Sequence, residues 1–164
     1  MRQITVYKFE ELPEKTQKKI WEKAGWRPNP WQGENWNSWE EFAKLFYEVI
    51  RDWDSQYKRV EFKECEYFHE AKGKLLIKRI WRKFRDIPES PTGYCFDTYV
   101  FGYAKKILCK ILKYRWDIED FVNSVFRNFC EEDEKDDECY NTFDSFKEDA
   151  ELNEWEFTET GIQI

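Results

Sequence analysis

Two neighbouring stretches decide the fold class: Ser38-Trp-Glu-Glu-Phe-Ala-Lys-Leu-Phe-Tyr-Glu-Val-Ile-Arg-Asp-Trp53 and Lys58-Arg-Val-Glu-Phe-Lys-Glu-Cys-Glu-Tyr-Phe68. In the first, Trp39, Phe42, Phe46, Val49, Ile50 and Trp53 recur at helical spacing, and Ser38 with Glu41 three residues on has the form of a capping box. In the second, Val60, Phe62 and Glu64 share one face and alternate with charged neighbours, the pattern of a half-exposed antiparallel strand. A helical period passing directly into a period of two predicts an α+β chain, with a small antiparallel sheet of about three to four strands packed with about five to six helices.

Working toward the N-terminus, residues 26–37 carry two prolines, a glycine and three asparagines, and predict an irregular loop bearing Trp26, Trp31 and Trp36. Before it, Leu12-Pro13-Glu14 starts a helix that Gly25 stops, with Thr16, Ile20 and Ala24 at four-residue spacing. Residues 3–9 read as a first strand with Ile4 and Val6 on one side. Toward the C-terminus, residues 72–85 give a basic helix with Leu75, Leu76, Ile80 and Phe84 inward, and Tyr94 to Phe101 suggests a third strand. Ile107, Leu108, Ile111 and Leu112 mark a helix over 104–114. Asp117 caps the next, which carries Phe121, Val122, Val125, Phe126 and Phe129. The run 131–138 is too acidic to bury and is expected to interrupt that helix as a surface segment. A short helix to Leu152 and an extended end from Trp155 follow.

With 164 residues, 20% aromatic and 37% charged, the chain fits a single domain over 1–164 with one aromatic core under an ionised shell. No apolar run approaches the roughly 18 residues of a membrane span, and the N-terminus lacks a signal-peptide core, so a soluble cytoplasmic protein is expected, with no membrane partner. Cys65, Cys95, Cys109, Cys130 and Cys139 are odd in number and unpaired in C-x-x-C spacing, against a disulfide framework or a zinc knuckle.

The chemistry of catalysis is thinly represented. His69 is the lone histidine and no nucleophile sits in a glycine-flanked turn. Six glycines form neither a Walker loop nor a G-x-G-x-x-G turn. Carboxylates are too numerous to point to a glycosidase, and the 131–138 run lacks the ligand alternation and turn glycine of an EF-hand. A non-enzymatic protein with no catalytic residues, no metal site and no cofactor is expected.

Charge is where the chain departs from the ordinary. From Asp117 onward there are 17 acidic and 3 basic residues, net −14, which leaves +7 on residues 1–116. Two acid-free stretches hold much of the positive charge: Lys74, Lys78, Arg79, Arg82, Lys83 and Arg85, then Lys105, Lys106, Lys110, Lys113 and Arg115, with Trp81 and Tyr114 interleaved. Such helices suit a phosphate backbone, or they pair internally with the acidic third. The acidic residues Glu131, Glu132, Asp133, Glu134, Asp136, Asp137 and Glu138 form a candidate partner-binding face, since carboxylates can occupy a groove built for phosphates.

Val6-Tyr-Lys-Phe-Glu-Glu-Leu-Pro-Glu-Lys-Thr-Gln-Lys-Lys-Ile20, Asn153-Glu-Trp-Glu-Phe-Thr-Glu-Thr-Gly161 and the central Gly93-Tyr-Cys-Phe-Asp97 resemble signatures of a family of small, mostly uncharacterised bacteriophage and prophage proteins. Some members are described as antitoxin-like, and their setting in mobile elements implies counter-defence, including anti-CRISPR activity. The resemblance implies a phage protein that inhibits a host defence protein such as a CRISPR-associated nuclease complex through its charged surface. The alternative is a nucleic-acid-binding or antitoxin-like regulator using basic helices 72–85 and 104–115.

Overall fold

The computed structural model describes residues 5–63, 75, 78, 79, 82, 83, 85–88, 90–114 and 118–164, with 111–114 described by backbone alone. The predicted positions Ile4, Glu64, Leu76, Ile80, Trp81, Phe84 and the Asp117 cap lie outside the described residues, as do Cys65 and His69. The fold is α+β. Its contacts group into two compact units, Trp31–Glu134 and Met1–Pro30, Lys135–Ile164, and the buried apolar side chains form two clusters where composition suggests one core.

In the unit made of the chain ends, β1 (Tyr7–Lys8) pairs antiparallel with β4 (Glu156–Phe157), Tyr7 opposite Phe157 and Lys8 opposite Glu156. A 3-10 turn at Phe9–Glu11 leads into α1 (Glu14–Ala24), and α5 (Phe143–Leu152) precedes β4. Thr142 caps α5, its hydroxyl accepting from the Ser145 N–H at 3.2 Å. Phe9, Leu12, Phe146, Ala150 and Phe157 are buried together, Phe9 lying 5.5 Å from Phe146 and 5.6 Å from Phe157 between ring centroids. This second core forms where β1 pairs with β4 and α5 lays Phe146 and Ala150 against Phe9 and Phe157. Buried Gln17 donates to the carbonyls of Phe9 and Leu12, both at 2.9 Å, so the turn between β1 and α1 keeps no orphan acceptor there. Gly161, at φ +83°, has Ile20 Cγ1 2.9 Å from where a Cβ would stand, so glycine is required for that approach.

The Trp31–Glu134 unit holds the larger core. Its elements are α2 (Gln32–Lys44), the hairpin of β2 (Ile50–Asp54) and β3 (Arg59–Phe62), a π-helical turn at Thr98–Gly102 continuing into α3 (Tyr103–Tyr114), and α4 (Ile118–Tyr140) through Glu134. The strands pair antiparallel, Ile50 opposite Phe62 and Trp53 opposite Val60, with an irregularity between Ile50 and Asp52. Phe121, Val122, Val125, Phe126 and Phe129 of α4 are buried as their spacing predicts. Trp39 sits among them with its ring centroid 4.5 Å from Phe126, and Trp53 packs against the same cluster. Each such ring contributes roughly 1.5–3 kcal/mol by leaving water.

Four sequence expectations are corrected. First, α2 begins at Gln32, not after Ser38, because Trp36 packs edge-on against Phe129 at 4.8 Å and buried Asn35 donates to Asp133 at 2.9 Å. Ser38 is therefore inside the helix, and its hydroxyl donates to Asp97 at 2.8 Å. Second, α2 ends at Lys44, and Ile50 to Asp54 form a strand. Val49, Ile50 and Trp53 fit a helical stripe, but pairing with β3, with its irregularity between Ile50 and Asp52, places Ile50 and Trp53 in a strand. Third, Tyr94–Phe101 is no strand: Phe96, Val100, Phe101 and Ala104 are buried at helical intervals. Fourth, the acidic run does not interrupt α4, which passes through it to Tyr140. Expected strands at 58–68 and 3–9 and the extended C-terminal end are present as β3, β1 and β4 within the described residues.

Candidate functional site

Acidic residues of α4 are largely engaged by the fold. Asp133 is buried and accepts from Asn35 Nδ2 at 2.9 Å and Gln32 Nε2 at 3.5 Å. Glu134 pairs with Lys58 at 2.6 Å, and this contact, together with the charge of Glu134, raises the Lys58 ammonium above its ordinary range. In the other unit, half-buried Asp136 accepts from Asn29 Nδ2 at 2.8 Å, and burial holds the neighbouring Asp137 carboxyl above the ordinary carboxylate range. Glu132 is half-buried. Within the run 131–138, Glu131 and Glu138 are the exposed acids with no described ion pair. Cys130, one residue before the run, is a buried thiol pushed up to about 12 by desolvation, an inert core group at neutral pH.

The same unit of chain ends contains an internal cation. Arg27 Nη1 meets Asp149 at 3.0 Å while its guanidinium lies over the rings of Tyr140 at 4.8 Å and Phe146 at 4.6 Å, and Asn141 bonds the Arg27 backbone in both directions. Those contacts make Arg27 a structural clamp of its unit.

Asp97, at the end of the Gly93–Asp97 stretch, is 1% exposed. Its carboxylate accepts from the hydroxyls of Ser38 at 2.8 Å, Thr92 at 2.7 Å and Ser90 at 2.9 Å, and from the Thr92 N–H at 2.9 Å. Burial by itself would raise its pKa, but the donors outweigh it and hold the carboxyl below its ordinary value. Asp97 is thus a buried anion that ties α2 to the loop before the π-helical turn.

The basic segment has a different character. The described residues Lys78, Arg79, Arg82, Lys83 and Arg85 are helical and every one is exposed, whereas Lys74 lies outside the described residues. Positions 78, 79, 82 and 83 fall on one side of a helix. Arg79 pairs with Glu48 at 2.7 Å and Arg85 with its neighbour Asp86 at 3.2 Å. No ion pair engages Lys78, Arg82 or Lys83 among the described residues. In α3, Lys105 reaches back to the Ile87 carbonyl at 3.3 Å, and Lys106 and Lys110 are exposed one turn apart. The side chains of Lys113, Tyr114 and Arg115 lie outside the described residues. The described ion pairs of the basic segment are therefore with Glu48 and Asp86, both before residue 117, and not with the acidic third.

Two flanking residues were not legible as site residues in the sequence. Tyr47, 66% exposed, follows the end of α2, and Lys63 at the end of β3 donates to its carbonyl at 2.7 Å. Tyr47 is off the apolar stripe by one position, the only signal it carried. Of the loop tryptophans, Trp26 and Trp31 are exposed while Trp36 packs on the core. Among the described residues no group of histidine, cysteine and carboxylate could hold a metal ion, and no helix is long and apolar enough to cross a membrane. No protein-family profile matches the chain, and comparison with curated proteins and with solved structures finds no match either.

Proposed function

We propose that this chain acts by stoichiometric binding rather than by catalysis, and that its working surface is the basic one of the Trp31–Glu134 unit, facing nucleic acid. The observation that supports this most strongly is the contrast in commitment: Lys78, Arg82, Lys83, Lys106 and Lys110 are exposed and carry no described ion pair, whereas most of the acidic run is engaged by the fold. Exposed cations condense with phosphates and release counterions, a gain that needs no pocket and no catalytic group. Two contacts tie the segment down. Arg79 to Glu48 joins it to the turn after α2, and Lys105 to the Ile87 carbonyl joins α3 just beyond its end. Lys78 and Lys83 would stand about 7.5 Å apart along a helix axis and on the same side as Arg79 and Arg82, a row of cations that can track a strand.

The phage-type resemblance gives this reading a setting: an antitoxin-like or counter-defence protein that handles nucleic acid in a bacterial host. The second reading, inhibition of a host defence protein such as a CRISPR effector through acidic side chains, rests on the exposed Glu131 and Glu138. Fluorescence polarisation with labelled oligonucleotides at stepped salt separates the two. The basic-surface reading expects binding that weakens steeply with salt, with a slope reduced by about 1.4 to 1.8 when two phosphate contacts are removed in Arg82→Glu/Lys83→Glu. Absence of binding at low salt, together with recovery of a nuclease-resistant protein complex from a host carrying such a defence system, would replace it by the inhibitor reading.

A further inference from the structure

We infer that the nucleic acid taken by this surface is single-stranded, and that Tyr47 is its base-stacking platform; this rests on the basic-surface reading. Tyr47 is a large aromatic side chain, 66% exposed, in the turn between α2 and β2. Cations from two separate elements meet around that turn. Lys63 of the chain leaving β3 places Nζ 2.7 Å from the Tyr47 carbonyl, and Arg79 of the basic segment places Nη2 2.7 Å from Glu48 Oε2. Glu48 also accepts from the Tyr47 hydroxyl at 3.3 Å, so this carboxylate is paired by Arg79 and orients the phenol. Beyond Arg79 the helix carries Arg82 and Lys83, about 4.5 to 6 Å further along its axis.

An exposed ring at the end of a cationic row matches the chemistry of a flexible strand, whose phosphates lie along the cations while a splayed base stacks on the ring. A duplex has its base faces already covered and would use the cations without the ring. A control lies in the same hairpin. Tyr57 is more exposed still, at 73%, but it sits in the β2–β3 turn beside Asp54, roughly 17 Å of strand away from Tyr47.

Affinities of the full chain for oligo-dU, oligo-U and a mixed-sequence duplex test this directly. Tyr47→Ala is expected to weaken binding of single strands about tenfold or more, Tyr47→Phe to restore it, and Tyr57→Ala to change it less than twofold. Duplex binding should move less than twofold in all three, and unchanged melting temperatures confirm that the variants fold. Whichever oligomer binds more tightly identifies the sugar. If Tyr47→Ala binds single strands like the parent while Arg82→Glu/Lys83→Glu loses them, the platform is wrong and the basic-surface reading stands. If neither variant changes binding, both fall.

Discussion

Between Glu131 and Glu138, Asp133 is buried against Asn35, Glu134 is held by Lys58 and Asp136 by Asn29. Between Lys78 and Arg85 every described side chain faces solvent, and Lys78, Arg82 and Lys83 have no described ion pair. Both stretches are dense in charge, and from composition alone each is a solvated face. The difference lies in what stands opposite. The acidic run occurs on a helix whose neighbours supply amides and a lysine, so its carboxylates replace water with fixed donors and become part of the structure. For the basic segment, the described partners are only Glu48 and Asp86, which leaves its remaining cations to counterions or to a ligand.

Several substitutions put that contrast to the test. The largest effect is expected at Asp97, the anion enclosed most completely: Asp97→Ala strands three hydroxyls and a backbone N–H, and should lower unfolding free energy by about 3 kcal/mol in urea titrations. Its pH dependence has a definite sign. The folded carboxyl titrates below its ordinary 3.8, so its stabilisation is complete above that pH and is lost as pH falls through the folded value. Acid denaturation of Asp97→Asn should lack that component.

Next in size is Asp133→Ala, expected to cost about 2 kcal/mol because it removes the buried hydrogen bond from Asn35 Nδ2 to the Asp133 carboxylate. A loss under 0.5 kcal/mol would place Asp133 with the solvated acids and erase half the contrast. Arg82→Glu/Lys83→Glu should leave stability within about 0.5 kcal/mol while reducing oligonucleotide affinity about tenfold, roughly 1.4 kcal/mol. Instability of that variant would mean the basic segment is structural after all. The smallest change is predicted for Glu131→Gln and Glu138→Gln, within about 0.5 kcal/mol of the parent in stability and without effect on nucleic-acid affinity.

How far the sequence was legible varies by residue. The buried faces of α4 and the start and stop of α1 followed directly from spacing, Pro13 and Gly25, because apolar periodicity and backbone restriction are local properties. The helix α2 was seen but misplaced at both ends. Its first turn depends on Asn35 meeting Asp133, 98 residues away, and its last on Ile50 pairing with Phe62. The turn at Thr98–Gly102 looked extended because β-branched and aromatic residues are common to strands and to buried helices. For the candidate surface, the cations of the basic segment were legible as a cluster, while Tyr47 and Lys63 were not, since their neighbourhood is created by Arg79 reaching Glu48.

An α+β chain, its aromatic core residues and its two opposed blocks of charge were readable from neighbouring residues, because hydrophobic spacing and net charge are local. Which charges are held inside the fold and which face water emerged only once distant segments packed together. That choice depends on desolvation and on partners that lie tens of residues away, and no local pattern encodes either.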